Sequence, residues 1–188
     1  MRWIVERRSF LSMMSGLSAA SLLGHAAVMG AETPDVTMVP AGEDLEGVKR
    51  AMGYSHLTFK VGAAQTQGSL FLIEHHFYKK GGPPRHMHPH QDEWFYVLAG
   101  EFVFEVGEVG SVKRLRLKAG DSILAPRLIP HVFAYVSDAP GKMLIGFTPA
   151  GRMEAFFRKV AIDGAPVPLT KAVIEEHDMV FLGPPLAV

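Results

Sequence analysis

From Ser55 onward, turn chemistry cuts this chain into short strand-like runs, and that punctuation leaves little choice of architecture. Residues 55–61 alternate apolar and polar side chains, and residues 69–77 are largely apolar and aromatic. Runs at 94–98 and 102–106 flank Ala99-Gly100-Glu101, a hairpin signal. Further runs at 112–117, 122–125, 131–136 and 143–147 follow at near-even spacing. The spacers hold Gly-Gly-Pro-Pro, Ala-Gly-Asp and Asp-Ala-Pro-Gly, residues that tolerate unusual backbone angles or fix them. The pattern predicts an all-β body, an antiparallel barrel or sandwich. No long-period repeat and no low-complexity linker divides it.

After residue 150 the period changes. Met153, Phe156, Phe157 and Val160 share one helical face, and residues 169–177 fit a second short helix opened by Thr170. Both are expected on the outside of the barrel, because an apolar stripe at that spacing is usually core, less often a lid or partner-binding face. The predicted layout is an arm at 32–54, a barrel at 55–150 and a helical extension at 151–188.

The first 31 residues read as an address. Arg7-Arg8-Ser9-Phe10-Leu11 fits the twin-arginine export pattern, and His25 is the sole ionisable side chain between Ser9 and Ala31. A periplasmic or exported protein carried by the twin-arginine machinery is therefore expected. Folding before export would let a metal be loaded in the cytoplasm, away from competition by copper and zinc. Without this segment the body is slightly acidic, so nucleic acid is not an expected partner. The chain has no cysteine, which excludes disulfides, thiolate zinc sites and a cysteine nucleophile.

The chemistry concentrates in Pro83-Pro84-Arg85-His86-Met87-His88-Pro89-His90-Gln91-Asp92-Glu93. Pro83 and Pro84 enforce extended backbone. His86 and His88, two apart on an extended segment, point the same way. After a turn, Glu93 opens the next strand and faces back toward them. There Glu93, Phe95 and Val97 share the inward face, while Trp94, Tyr96 and Leu98 face outward, consistent with a homodimer surface. A second motif runs from Gly120-Asp121 through Pro126 and Pro130 to His131, which shares a strand face with Phe133 and Tyr135. Three imidazoles and a carboxylate suit one divalent first-row transition metal: manganese, iron, cobalt, nickel, copper or zinc. Phe95, Phe133 and Tyr135 are the candidate substrate-contacting wall. His56, His75 and His90 have no motif support and read as structural or solvated.

These motifs resemble those of the cupins, a superfamily of small antiparallel jelly-roll β-barrels. His86, His88, Glu93 and Gly100 match the first cupin motif, Gly-x5-His-x-His-x3,4-Glu-x6-Gly, except for the register of its opening Gly. Gly120, Pro126 and His131 match the second; Leu128 replaces a Gly, and Tyr135 stands where Asn is usual. The ligand set is similar to that of single-domain bacterial flavonol (quercetin) dioxygenases. That resemblance implies a metal-dependent dioxygenase acting with dioxygen on a flavonol or other small phenolic. His86, His88 and His131 would then anchor the ion, and Glu93 would be both ligand and catalytic base. Two alternatives stay open. One is a metal-dependent isomerase or decarboxylase, with Arg85 and Arg127 turned inward to hold a carboxylate. The other is a non-catalytic periplasmic cupin that binds a sugar or other small molecule.

Overall fold

In the computed structural model, residues 36–188 are described; the export-signal segment predicted at 1–31 lies outside them. Among the described residues, eleven strands form two antiparallel sheets. In chain order they are β1 (Arg50–Met52), β2 (Ser55–Val61), β3 (Phe71–Phe77), β4 (Arg85–Met87), β5 (Asp92–Ala99), β6 (Glu101–Val106), β7 (Lys113–Lys118), β8 (Ser122–Ala125), β9 (His131–Tyr135), β10 (Gly141–Thr148) and β11 (Val180–Gly183). Helices α1 (Met153–Val160) and α2 (Lys171–Glu175) lie between β10 and β11. One sheet runs β1-β2-β3-β10-β5-β8, the other β11-β4-β9-β6-β7.

The two-residue period of the sequence becomes the core. Phe71, Ile73, His75 and Phe77 on β3 are buried, and their neighbours are less so. On β5 the buried set is Glu93, Phe95 and Val97, while Trp94 and Tyr96 stack on the outer face at 6.0 Å between ring centroids. Both inner faces meet in an aromatic cluster: Phe77 against Phe102 at 5.0 Å, Phe95 against Phe104 at 5.0 Å, each edge to face. Gly82 has no room for a side chain, since a Cβ there would stand 2.0 Å from the Phe133 carbonyl oxygen. That close approach seats the loop before β4 against β9.

Two features depart from the sequence reading. The region after residue 151 is not wholly helical: β11 pairs with β4, with Phe181 opposite His86. Nor does α1 simply lie outside the barrel. Its Met153, Phe156, Phe157 and Val160 are buried, and the first three face the barrel interior over the metal-ligand candidates. An eight-residue helix is unstable alone, so its shape depends on this docking; each large apolar side chain buried contributes roughly 1.5–3 kcal/mol. Glu154 on its flank accepts a hydrogen bond from the Ala63 N–H at 2.7 Å, and Arg158 bridges Glu154 and Glu46. The helix is thus tied to the chain on both sides of β2.

Candidate metal centre

Backbone pairing assembles the centre from segments distant in sequence. His86 on β4 lies directly opposite His131 on β9, and Glu93 enters from β5 of the other sheet. His88 follows one residue after β4. All four are buried, and one ligand atom from each lies within 4.8 Å of the others. Oε2 of Glu93 stands 2.8 Å from His131 Nε2, 3.1 Å from His88 Nε2 and 3.9 Å from His86 Nε2.

Local backbone geometry fixes how two imidazoles face. His86 Nδ1 is 2.7 Å from the Pro84 carbonyl oxygen, and His131 Nδ1 is 2.9 Å from that of Ile129. In both cases the acceptor lies two residues upstream on a proline-stiffened approach. Each Nδ1 donates its proton outward, so each Nε2 is directed at Glu93. Leu128 completes the clamp. Its N–H donates to the His88 carbonyl oxygen at 2.9 Å, and its φ of +66° is the left-handed conformation that glycine adopts easily. Leucine therefore keeps the backbone shape at the position where the cupin motif carries Gly.

The donor set fits a divalent cation. Burial, together with the neighbouring His131 and His88, pulls His86 down to about 3, so its ring is neutral. With its proton committed to Pro84, its Nε2 lone pair is bare. Burial alone would raise the Glu93 carboxyl, but the facing His131 and His88 rings outweigh this and hold it well below the usual carboxylate range. A buried anion facing imidazole lone pairs is a repulsive arrangement unless a cation or extra protons lie between them. Ligand atoms bound to one ion at bonds of about 2.0–2.2 Å stand roughly 3–4 Å apart, and the three separations from Glu93 Oε2, 2.8, 3.1 and 3.9 Å, lie in or near that range. The cluster fits a metal site.

A cavity opens beside the cluster. His86 and Glu93 line it, together with Met52, Tyr54, His75, Phe133, Phe147 and the α1 residues. Its free volume is about 40 Å³, room for a few waters and too little for a polycyclic ring without movement of its roof. Outside lies a larger groove, whose lining shares Met52, Tyr54, Pro84 and Leu169 with the inner cavity. These four side chains form the partition between the two.

Of the three aromatic residues proposed as a wall, Phe133 lines the cavity. Phe95 is buried against Phe104, Phe133 and, at 6.2 Å, the His131 ring, but lies outside the lining. Tyr135 is also outside it, packed on Phe77, Phe102 and Gly141. It shares a face with His131, but four residues of strand separate them by about 13 Å. Arg85 donates to the Gly107 carbonyl oxygen, and Arg127 pairs with Asp92. Neither lines the cavity, and among the described residues lining it there is no Arg or Lys. His90 is exposed, as expected for a solvated residue. The cavity residues that sequence patterning did not single out include Met52, Tyr54 and, most notably, His75.

Residues 74–147 match the Cupin domain family, a span containing all four candidate ligands. Over that span the barrel is similar to the cupin family. Over 54 residues, 27% of this chain, it is 37% identical to the 3-hydroxyanthranilate 3,4-dioxygenase of Xanthomonas campestris pv. campestris (strain B100), covering 31% of that protein. The chain therefore matches about a third of the length of its curated relatives. Among solved structures, an oxalate decarboxylase superposes with a TM-score of 0.50 at 18% identity, over 61% of this chain and 33% of the other. KdgF from Halomonas sp. superposes at 0.43 and 21% identity, over 50% and 78% of the respective chains. The structural likeness concerns the cupin fold.

Proposed function

We propose that this cupin is a metal-dependent dioxygenase acting on a small, uncharged phenolic substrate. The observation that carries the reading is the position of His86 and Glu93 in the wall of an otherwise largely apolar cavity, with His88 and His131 behind them. The centre is thus open toward the cavity and closed elsewhere. His86, His88, Glu93 and His131 would hold the ion. When bound, the ion supplies Lewis acidity that lowers a phenol's pKa and the redox partnership that dioxygen chemistry requires.

The protein's own groups do the rest. Phe133, Phe147 and Phe157 offer flat apolar faces to an aromatic ring and exclude water. Glu93 remains ionised, so it is a good ligand. The imidazoles that hold it ionised also make it a weak base, so it accepts a phenolic proton only from a hydroxyl whose own pKa has been lowered. The cramped cavity favours a single ring over a flavonol, with α1 and α2 shifting to admit it. The lack of a lining cation favours this reading over a decarboxylase or isomerase that grips a free carboxylate. It also advises against assigning the relative's substrate class, an aminobenzoate, to this chain. Residues 1–31 complete the proposal as a twin-arginine export signal, testable by fusing them to a folded reporter.

Oxygen-electrode measurements on protein reconstituted separately with manganese, iron, cobalt, nickel, copper and zinc test the activity. Uptake of dioxygen with catechol or an alkyl catechol, lost in Glu93→Ala, is expected. No uptake with any metal and any catechol or flavonol overturns the dioxygenase reading and leaves the isomerase or decarboxylase and the binding cupin.

A further inference from the structure

One buried polar side chain in the cavity wall is not explained by the metal centre. His75 on β3 is 2% exposed and lines the same cavity as His86 and Glu93. Its ring is held among aromatics, 4.6 Å from Phe77 and 6.4 Å from both Tyr54 and Phe157 between centroids. Nε2 is 2.8 Å from the hydroxyl of Ser55, its diagonal neighbour on β2. Nδ1 is buried with no hydrogen-bond partner among the described residues. An unsatisfied buried donor or acceptor is costly, so such an atom calls for a specific reason.

The tautomer follows from Ser55. That residue is fully buried, and among the described residues its hydroxyl makes one hydrogen bond, to His75. Were Nε2 the donor, the Ser55 hydroxyl proton would have no acceptor. The hydroxyl therefore donates to Nε2. Burial keeps the ring neutral, so its single proton sits on Nδ1. His75 consequently presents an unused N–H donor, not a lone pair.

Resting on the phenolic reading above, we propose that His75 is a second substrate anchor, oriented by Ser55, whose Nδ1–H donates to an uncharged carbonyl oxygen on a phenol bound with its hydroxyl toward Glu93. A neutral carbonyl suits the site because a single neutral donor, with no lining cation, does not offset the desolvation of a carboxylate. The ligand class is thus a compact phenol bearing a ketone, ester or amide.

Two probes differing at one group test this on zinc-loaded protein, where zinc itself has no redox chemistry. The probes are 3,4-dihydroxyacetophenone and 4-ethylcatechol, with affinities measured by calorimetry. Catechol acidity differs between them, so the quantity that decides is the change in their affinity ratio on substitution. His75→Phe should shrink the ketone-to-ethyl ratio by about tenfold. His75→Asn, whose amide keeps a donor near the Nδ1 position, should restore part of it and guards against a Phe variant that does not fold. An unchanged ratio in both variants overturns the anchor while leaving the phenolic reading intact. Binding of neither catechol to the parent protein overturns both. Nitrogen-15 NMR of the zinc-loaded protein gives a ligand-free check: Nδ1-protonated His75 is expected, converting to a mixed tautomer in Ser55→Ala. An Nε2-protonated ring in the parent protein overturns the proposal whatever the probes do.

Discussion

His131 Nε2 stands 2.8 Å from Oε2 of Glu93 while its Nδ1 is committed to the Ile129 carbonyl oxygen. A carboxylate buried at such a place needs positive charge beside it, which a divalent ion supplies. Several properties of the centre follow from this and are measurable.

The first is stability. Glu93→Gln removes the buried anion that faces His131 and His88. Without metal, the variant should be less stable than the parent, because a carboxyl held below its usual range stabilises the fold when ionised. With metal the gap should widen, since an ion at a hundred times its dissociation constant stabilises the parent's folded state by about 2.7 kcal/mol. Thermal unfolding of both proteins, with a chelator and with added zinc, reads this out.

Leu128 offers a second test. Its backbone is left-handed and its side chain is 58% exposed, so little packing is lost by removing it. Leu128→Gly should relieve strain of about 1 kcal/mol, less a part lost to the greater freedom of the unfolded chain. A small rise in denaturation midpoint with unchanged metal affinity is expected in chemical unfolding.

Acid should destabilise the metal-free protein well above the carboxylate range. Burial pulls His75 and His86 down to about 3 in the folded state. The unfolded chain takes up those two protons near pH 6.5, and the folded chain does not. Stability conferred by the neutral rings is thus complete above about pH 6.5 and is lost as pH falls toward 3. The slope is about 1.4 kcal/mol per pH unit for each ring once the unfolded state is fully protonated. Denaturant titrations at several pH values should show it, and His75→Phe should reduce the slope by about one ring's share.

The roof formed by α1 gives a fourth. Phe157 is buried against Phe71, Phe147 and Phe156. Phe157→Ala should cost about 3–5 kcal/mol. It should also enlarge the cavity, so that catechols associate faster with the zinc-loaded protein. Equilibrium unfolding and stopped-flow binding measure the two effects separately.

The metal-ligand candidates were legible because their spacing carries the information: one residue between His86 and His88, a turn, then Glu93, with His131 behind a second proline-stiffened approach. Periodicity also found which faces of β5 and α1 are buried. It is blind to height along a strand, so it grouped Tyr135 with His131 although they occupy different levels of the barrel. A helical stripe likewise identifies the buried face of α1 without saying that a cavity lies beneath it. The strand β11 is only four residues long and half-buried at the sheet edge, held by backbone pairing that no side-chain pattern announces. His75 was hidden for a related reason: its meaning comes from Ser55 twenty residues earlier, and only the register of β2 against β3 brings them together.

The central claim is that His86, His88, Glu93 and His131 grip a single ion. Elemental analysis of the purified protein, beside a His86→Ala/His131→Ala variant shown by circular dichroism to be folded, tests it most directly. Close to one transition-metal ion per chain is expected in the parent after reconstitution and dialysis, and almost none in the variant. Equal metal content in the two, or none in the parent with any divalent ion supplied, contradicts it.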